Sequence, residues 1–297
     1  MQSDGLQFTR KDFLWTVAGT VLLTSEAAAQ RKPGKILLVV AHPDDEYAFA
    51  GTVYRLVREE GWTADQVVIT DGEAGYRYAE LAEAYYGVDL TGDRERLREI
   101  RKQEVLRAGK ILGIRKHYFL DQKDLGFAAD PAAADFSNWD RPRLSATLHD
   151  LLQREHYDAV FTLLPTETTH GHHRAATLLA LEAVADLPAE SRPLVLGAQP
   201  HSAEDAPLRF AGLASQPLTA TTSAEPALVF DRTASFGYQH ALNYQVVVNW
   251  IIAEHKSQGL FQSDYGRHQS EQFWLFAIGG RETSGRFPEL TSDLRTH

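Results

Sequence analysis

Two clusters of histidine and acidic residues have the composition of a metal or catalytic site, and each directly follows an apolar run. The first is His42-Pro43-Asp44-Asp45-Glu46, after residues 36–40, and the second is His170-Gly171-His172-His173, after residues 159–163. Hydrophobic burial explains the apolar runs as core strands, but it does not explain the polar residues at their ends. Because ligands bind at the carboxyl ends of strands in α/β sheets, both clusters are candidates for a functional site.

His42 and Asp45 are three residues apart in a predicted tight turn, so both side chains could reach one metal ion. Asp44 lies between them and would be left to transfer protons as a general base. Two strand ends that present His and Asp are an expected source of a catalytic zinc site with three protein ligands and a fourth position open to water. Since zinc lowers the pKa of bound water to about 7, this pattern predicts a metal-dependent hydrolase.

Simpler explanations exist for each cluster taken singly. Asp44 or Asp45 could cap the helix that follows, and the second cluster could be a solvated turn. A purely structural metal site is a further alternative, although such a site usually has four protein ligands rather than three. The occurrence of both clusters at strand ends favours the catalytic interpretation.

Composition restricts both the partners and the metal ligands. The chain has 297 residues, is 43% hydrophobic and carries a net charge of −10. That length suffices for one large domain, and the acidic balance argues against a nucleic-acid partner. There is no cysteine, which excludes disulfides, thiolate catalysis and cysteine zinc sites. Any metal must therefore be held by His, Asp or Glu.

The first 29 residues have the features of a signal peptide. Arg10 and Lys11 precede the apolar run 13–23, and small residues follow at 27–29. This order predicts a twin-arginine-like or Sec signal over 1–29, a domain over 30–297, and a periplasmic or extracellular location. A short packed helix is the alternative. No other segment has the roughly 20 apolar residues that a membrane-spanning helix needs.

Strand and helix patterns alternate over the first 185 residues. Strands are predicted at 35–41, 66–70, 117–120 and 159–163, and helices at 47–60, 94–112, 143–154 and about 171–185. Alternation of this kind predicts an α/β fold with a mostly parallel sheet and helices on both faces. Further strands are predicted at 194–197, 227–230 and 273–277, with a helix at 238–256. No linker divides the chain, so a single domain is expected.

The sequence resembles the GlcNAc-phosphatidylinositol de-N-acetylase family, also called PIG-L or LmbE-like deacetylases. The resemblance covers roughly residues 35–277, and its motifs are Ala41–Glu46, Thr70–Gly75, Arg101-x-x-Glu104, His170-x-x-His173, His255–Gln258 and Glu271-x-Phe273. The first and fourth motifs are specific, whereas the others are weak alone. The resemblance implies a Rossmann-like sheet that binds no dinucleotide.

The resemblance also implies a division of roles. His42, Asp45 and His173 would hold zinc, Asp44 would be the general base, and His170 would steady the oxyanion or protonate the departing amine. Family members remove an acetyl group from an N-acetylglucosamine unit, so the expected partner is a small molecule or glycan bearing N-acetyl groups. His and Asp ligands also suit other divalent metals, and the sequence does not choose among them.

Three loop residues are further candidates for substrate contacts. Asp71, Glu73 and Arg77 follow the second predicted strand and could bind sugar hydroxyls or phosphate, or could simply stabilise the turn. The segments 76–93 and 126–140 look like insertions that could set substrate specificity. Arg101 and Glu104 are three residues apart on one helix, and a local ion pair is expected between them.

Gly171 and His172 depart from the family pattern, and two other functions stay open. The family often has Pro and Asp at these positions, and His172 could compete as a metal ligand. The alternative activity is a related zinc amidase that cleaves a larger acyl amide of a sugar conjugate. A non-catalytic carbohydrate-binding member of the fold is the alternative from another class, although the expected ligands and base are all intact. The substrate sugar and the oligomeric state are not determined by the sequence.

Overall fold

The computed structural model describes residues 32–126, 138–278 and 285–295. The predicted signal peptide and most of the 126–140 segment lie outside the described residues. Gly34–His297 form one compact unit. Within the described ranges, none of the helices is both long and apolar enough to cross a membrane.

A seven-stranded sheet forms the centre of the fold, in the order β3-β2-β1-β4-β5-β9-β6. Its strands are β1 (Lys35–Val40), β2 (Thr63–Thr70), β3 (Ile114–Gln122), β4 (Ala159–Leu163), β5 (Leu194–His201), β6 (Leu228–Asp231) and β9 (Ser270–Leu275). The first five strands are parallel, whereas β9 runs antiparallel to both β5 and β6. A separate hairpin consists of β7 (Ser235–Phe236) and β8 (Leu242–Asn243). The predicted mostly parallel sheet is confirmed.

Helices cover both faces of the sheet. They are α1 (Ala50–Tyr54), α2 (Glu80–Tyr86), α3 (Arg94–Leu112), α4 (Arg141–Glu155), α5 (Gly171–Ala185), α6 (Tyr244–Glu254), α7 (Gly259–Asp264) and α8 (Arg286–Asp293). On β1, Ile36 and Leu38 join a core with α1, α3 and α6, whereas Leu37 and Val39 join a second core with α4 and α5. Successive strand side chains point to opposite faces, so a continuous apolar run serves both cores.

The order of the strands reverses beside β1. From β1 the chain proceeds outward through β2 and β3, and it then returns to the other side of β1 with β4 and β5. In doubly wound sheets, the carboxyl ends of the two strands at such a reversal border a crevice. The two polar clusters follow β1 and β4, so this topology brings them together.

Two predicted helices differ from the observed ones. The predicted helix at 238–256 begins at Tyr244, because residues 238–243 form a 3₁₀ turn and strand β8, with positive φ at Gln239 and His240. The predicted helix at 47–60 is a 3₁₀ turn at Asp45–Phe49, then α1, then a π turn at Arg55–Glu59. Periodicity indicates a helical segment, but it does not distinguish these helix types.

A buried ion pair ties the start of α1 to the sheet. Glu271, on β9, accepts hydrogen bonds from the Gly51 and Thr52 amides at 2.8 and 2.9 Å. Arg232 donates to the same carboxylate at 2.9 Å and to the Tyr47 carbonyl at 2.7 Å. Both charged side chains are fully buried. The first amides of a helix have no partner within the helix, so Glu271 supplies the cap that α1 lacks locally.

We expect Glu271→Ala to lower the free energy of unfolding by about 3–5 kcal/mol, because it leaves the Arg232 charge buried without a partner. Glu225→Ala is the matched control, since its ion pair with Arg209 is exposed and should contribute less than about 1 kcal/mol. Urea denaturation of both variants measures the difference. Equal losses would contradict the role given to Glu271.

Candidate active site

A cleft of about 460 Å³ lies beside the carboxyl ends of β1 and β4. The residues that line it come from both polar clusters, from the loops after β2 and β3, from helix α3 and from the segment after α6. They include His42, Asp44, Asp45, Arg77, Tyr78, Arg101, Asp124, His170, His173 and Gln258. The sequence-based expectation that the two clusters share one site is therefore matched by the geometry.

The turn after β1 is built around the Asp45 carboxylate. Its Oδ2 accepts hydrogen bonds from the Ala41 and His42 amides, at 3.0 and 2.8 Å. The carboxylate therefore folds back onto the end of β1, and the Asp44 side chain makes no capping hydrogen bond either. Helix capping, the simpler explanation for this cluster, is not what the structure shows.

Three side chains that can bind a metal converge beside this turn. His42 Nδ1 lies 3.0 Å from His173 Nε2 and 3.7 Å from Asp45 Oδ2, and Asp45 Oδ1 lies 3.0 Å from His173 Nε2. Ligands bound tetrahedrally at about 2.0–2.2 Å lie roughly 3.4 Å from one another, so these separations fit one cation. The expected ligand triad is thus brought together by the fold.

The carboxylate and the two imidazoles of the triad shift one another's pKa values. Burial would raise the pKa of Asp45, but His173 and His42 hold it well below the usual range. Burial would lower the pKa of His173, but the facing Asp45 carboxylate raises it. Burial lowers the pKa of His42. Metal binding requires an ionised Asp45 and neutral imidazoles, so a bound cation would displace the proton that the raised pKa of His173 favours.

Asp44 projects into the cleft from a strained backbone. Its φ is 109°, in the region that L-residues rarely adopt, and such strain is concentrated at functional sites. Its Oδ2 lies 2.9 Å from Arg101 Nη2. Burial raises the pKa of Asp44 to about 7, and the Arg101 charge opposes that rise. A carboxylate with a pKa near neutrality suits a general base.

The predicted ion pair between Arg101 and Glu104 is wrong. Arg101 instead donates to the Gly72 carbonyl at 2.6 Å and to the Pro43 carbonyl at 2.5 Å, besides pairing with Asp44. Glu104 accepts from the Ser257 amide and hydroxyl at 2.8 and 2.6 Å. Both side chains therefore bind groups from loops that are distant in the sequence, rather than each other across one turn of the helix.

His170 is the N-cap of α5. Its Nδ1 accepts the His172 amide at 3.0 Å, which places the ring proton on Nε2. Burial, together with His42, His173 and His172, lowers the pKa of His170 to about 3. A neutral ring with a protonated Nε2 can donate a hydrogen bond, which fits the oxyanion role predicted for this residue better than the acid role.

Residues 37–184, from β1 to nearly the end of α5, match the family described as GlcNAc-PI de-N-acetylase, or PIG-L. The match includes both polar clusters in their expected order. This segment is a PIG-L family domain.

Curated relatives of this PIG-L chain are named as deacetylases. A Bacillus cereus protein described as a probable N-acetyl-α-D-glucosaminyl L-malate deacetylase is 27% identical over 160 residues, which are 54% of this chain and 65% of that protein. A 1D-myo-inositol 2-acetamido-2-deoxy-α-D-glucopyranoside deacetylase from Catenulispora acidiphila is 38% identical over 121 residues, 39% of this chain and 34% of that protein. The matched part thus spans between about a third and two thirds of these relatives' length.

Solved structures share the fold of this PIG-L chain. The N,N'-diacetylchitobiose deacetylase from Pyrococcus horikoshii has a TM-score of 0.52 and 18% identity, covering 92% of this chain and 94% of that one. A 4-carboxy-2-hydroxymuconate hydratase from Pseudomonas putida KT2440 has a TM-score of 0.53 and 18% identity, covering 82% and 95%. Because one fold carries both reactions, the reaction has to be argued from the site.

The three residues predicted to contact substrate differ in whether they line the cleft of the PIG-L domain. Arg77 lines the cleft, whereas Asp71 and Glu73 are not among its lining residues. Asp71 Oδ1 accepts the Glu73 and Asp124 amides at 3.1 and 3.2 Å, and Glu73 pairs with Lys123. The structure gives these two carboxylates a role in holding the loops, and their contact with substrate stays a prediction.

Asp124 was not singled out by the sequence analysis. It lies two residues beyond β3, and its Oδ1 is 3.8 Å from His42 Nε2 and 3.5 Å from His172 Nδ1. Burial opposes its ionisation, but His42 and His172 hold the pKa of Asp124 below the usual range. The sequence feature that could have identified Asp124 is its position after a predicted parallel strand, which also marked the other two clusters.

We expect Arg101→Gln to move the acidic limb of the kcat/KM profile to higher pH. The variant loses the charge that opposes protonation of Asp44, so the pKa of Asp44 should rise by about one unit or more. Asp44 would act in its ionised form. As the pH is lowered, the variant should therefore lose activity at a higher pH than the wild type does. Arg98→Gln on the same helix is the control, since Arg98 pairs with Asp71 and Glu95 outside the cleft. An acidic limb that stays in place in Arg101→Gln would contradict the pairing.

Proposed function

We propose that this chain is a metal-dependent hydrolase that removes the acetyl group from an N-acetylated amino sugar of the GlcNAc type, with zinc as the metal. The observation that carries the proposal is the ligand triad His42, Asp45 and His173 with a separate, partly buried carboxylate, Asp44, in the same cleft. A structural metal site has no need of such a carboxylate. The names of the curated relatives support the acetamido sugar as substrate.

A bound zinc ion would polarise the amide carbonyl and lower the pKa of water. Asp44 would take a proton from the attacking water and become neutral, and Arg101 would hold Asp44 in one position in both its ionised and its neutral form. His170 would donate from Nε2 to the oxygen that becomes negative as the water attacks. The carbon–nitrogen bond would then break, the proton taken by Asp44 would pass to the departing amine, and acetic acid would leave and ionise to acetate.

Arg77 and Tyr78 stand on the wall of the cleft formed by the loop after β2. We propose that they contact the part of the substrate that does not react, Arg77 through sugar hydroxyls or an acidic group and Tyr78 through an apolar sugar face. Tyr78 is 44% exposed, so its ring is available to a ligand. The substrates of the relatives, in which malate or inositol is attached to the amino sugar, have a group of this kind.

We also propose an exported location, on the basis of the basic, apolar and small-residue order in residues 10–29. Expression of the full chain with a C-terminal tag, followed by cell fractionation and N-terminal sequencing, tests this. A tagged protein that keeps Met1 and stays in the cytoplasm would contradict it.

We expect Asp44→Asn to lower turnover by about 10²–10⁴-fold while zinc stays bound. Asn is preferred to Ala because Asn tolerates the positive φ at this position. The assay measures acetate released from N-acetylated sugars, with and without a chelator, together with zinc content. Asp121→Asn is the control, since Asp121 also has a positive φ but pairs with Lys102 outside the cleft.

The same assay separates the alternatives. Release of a longer acid, but not acetate, from N-acyl sugars would identify an amidase for larger acyl groups. Sugar binding without any acid release would indicate a binding protein. Full turnover by Asp44→Asn would remove Asp44 as the base.

A further inference from the structure

The two ring nitrogens of His42 face different sets of residues. Nδ1 faces His173 and Asp45, which complete the ligand triad. Nε2 lies 3.1 Å from His172 Nδ1 and 3.8 Å from Asp124 Oδ1. His42, His172 and Asp124 are all at least nine-tenths buried. The protein groups nearest to Nε2 are therefore the candidates for its hydrogen-bond partner.

The tautomer of His42 follows from this arrangement. A neutral imidazole has one proton, so a ring that binds a metal through Nδ1 must keep its proton on Nε2. The Asp124 oxygen is too far away for a direct hydrogen bond, whereas His172 Nδ1 is within hydrogen-bond distance. With the metal on Nδ1 of His42, His172 Nδ1 would accept the His42 Nε2 proton, and in that state it would not also donate to Asp124.

Asp124 stands behind both rings. Its Oδ1 lies 3.5 Å from His172 Nδ1 and accepts the Gly126 amide at 2.8 Å, which fixes the carboxylate in place. The Asp124 amide donates to Asp71, so the loop itself is anchored to the end of β2. A negative charge at this place stabilises the positive charge that His42 gains when it binds a cation.

We propose that His172, supported by the charge of Asp124, is a positioning residue that holds His42 in the tautomer and orientation needed to bind the metal through Nδ1. The inference rests on the metal site of the proposed function and concerns a position where this chain has His in place of Asp. Outer partners of ligating histidines typically contribute about 10–100-fold to metal affinity. In this arrangement His172 acts on the metal through His42, and the zinc stoichiometry distinguishes it from a second ion held by His42, His170 and His172, whose ligand atoms also lie within 4.8 Å of one another.

The zinc affinity of the full-length chain tests the proposal. The metal-free protein is titrated with Zn²⁺ against a chromophoric chelator, which gives both the dissociation constant and the stoichiometry. His172→Gln removes the acceptor at the Nδ1 position and should weaken zinc binding by about 10–100-fold. His172→Asn keeps an acceptor near that position and should bind more tightly than His172→Gln. His149→Gln, on the surface of α4, is the control and should bind as the wild type does.

Two variants that move the negative charge from position 124 to position 172 test the role of Asp124. Asp124→Asn alone should weaken zinc binding, and His172→Asp added to it should restore much of the loss, because the carboxylate then contacts His42 directly. Thermal unfolding of each metal-free variant shows whether it still folds. A residue that only fills the core would lower that unfolding temperature without changing the zinc affinity of the folded protein.

Three results would overturn the inference. They are an unchanged zinc affinity in His172→Gln, two zinc ions bound per wild-type chain, or no zinc bound at all. Two ions would mean that His42 Nε2 coordinates a second cation rather than donating a proton. A wild-type chain that binds one zinc ion but releases no acetate would refute the proposed function alone, because the affinity measurement does not use a substrate.

Discussion

The Asp45 carboxylate is the group on which the geometry of the site depends. One of its oxygens accepts two amides at the end of β1, and the other faces His173 from the far side of the strand reversal. The same side chain therefore ends the strand, shapes the turn and joins the two polar clusters. Because Oδ2 is bound to two backbone amides, the end of β1 determines where Oδ1 meets His173.

Several other buried charges surround this turn, and each is paired through a different part of the chain. Arg101 holds Asp44, His255 lies 2.6 Å from Glu46, and Glu271 binds Arg232 and the start of α1. An isolated charge in such a place would cost several kcal/mol, and pairing reduces that cost. As a result, the consecutive residues Asp44, Asp45 and Glu46 are each held by a different partner, and together they form a frame around the turn.

This frame explains how one short turn can present groups with different properties. Asp45 stays ionised between imidazoles, whereas burial brings the pKa of Asp44 to about 7. Two adjacent carboxyl groups whose pKa values are pushed apart by their surroundings can take different roles in one reaction. The likeness to a hydratase shows that the sheet alone does not select the chemistry, so the selection lies in these local environments.

The sequence by itself determined the parallel sheet, its main helices and the two polar clusters, because strand and helix periodicity and strand-end positions are local features. It also indicated His42, Asp45 and His173 as a set, through spacing and family resemblance. Only the tertiary structure decided the partners of Arg101, Glu104, His172 and Asp124. The contacts of Arg101 with Gly72, of Glu104 with Ser257 and of His172 with His42 join residues 29, 153 and 130 positions apart, and no local pattern in the chain encodes such distant pairings.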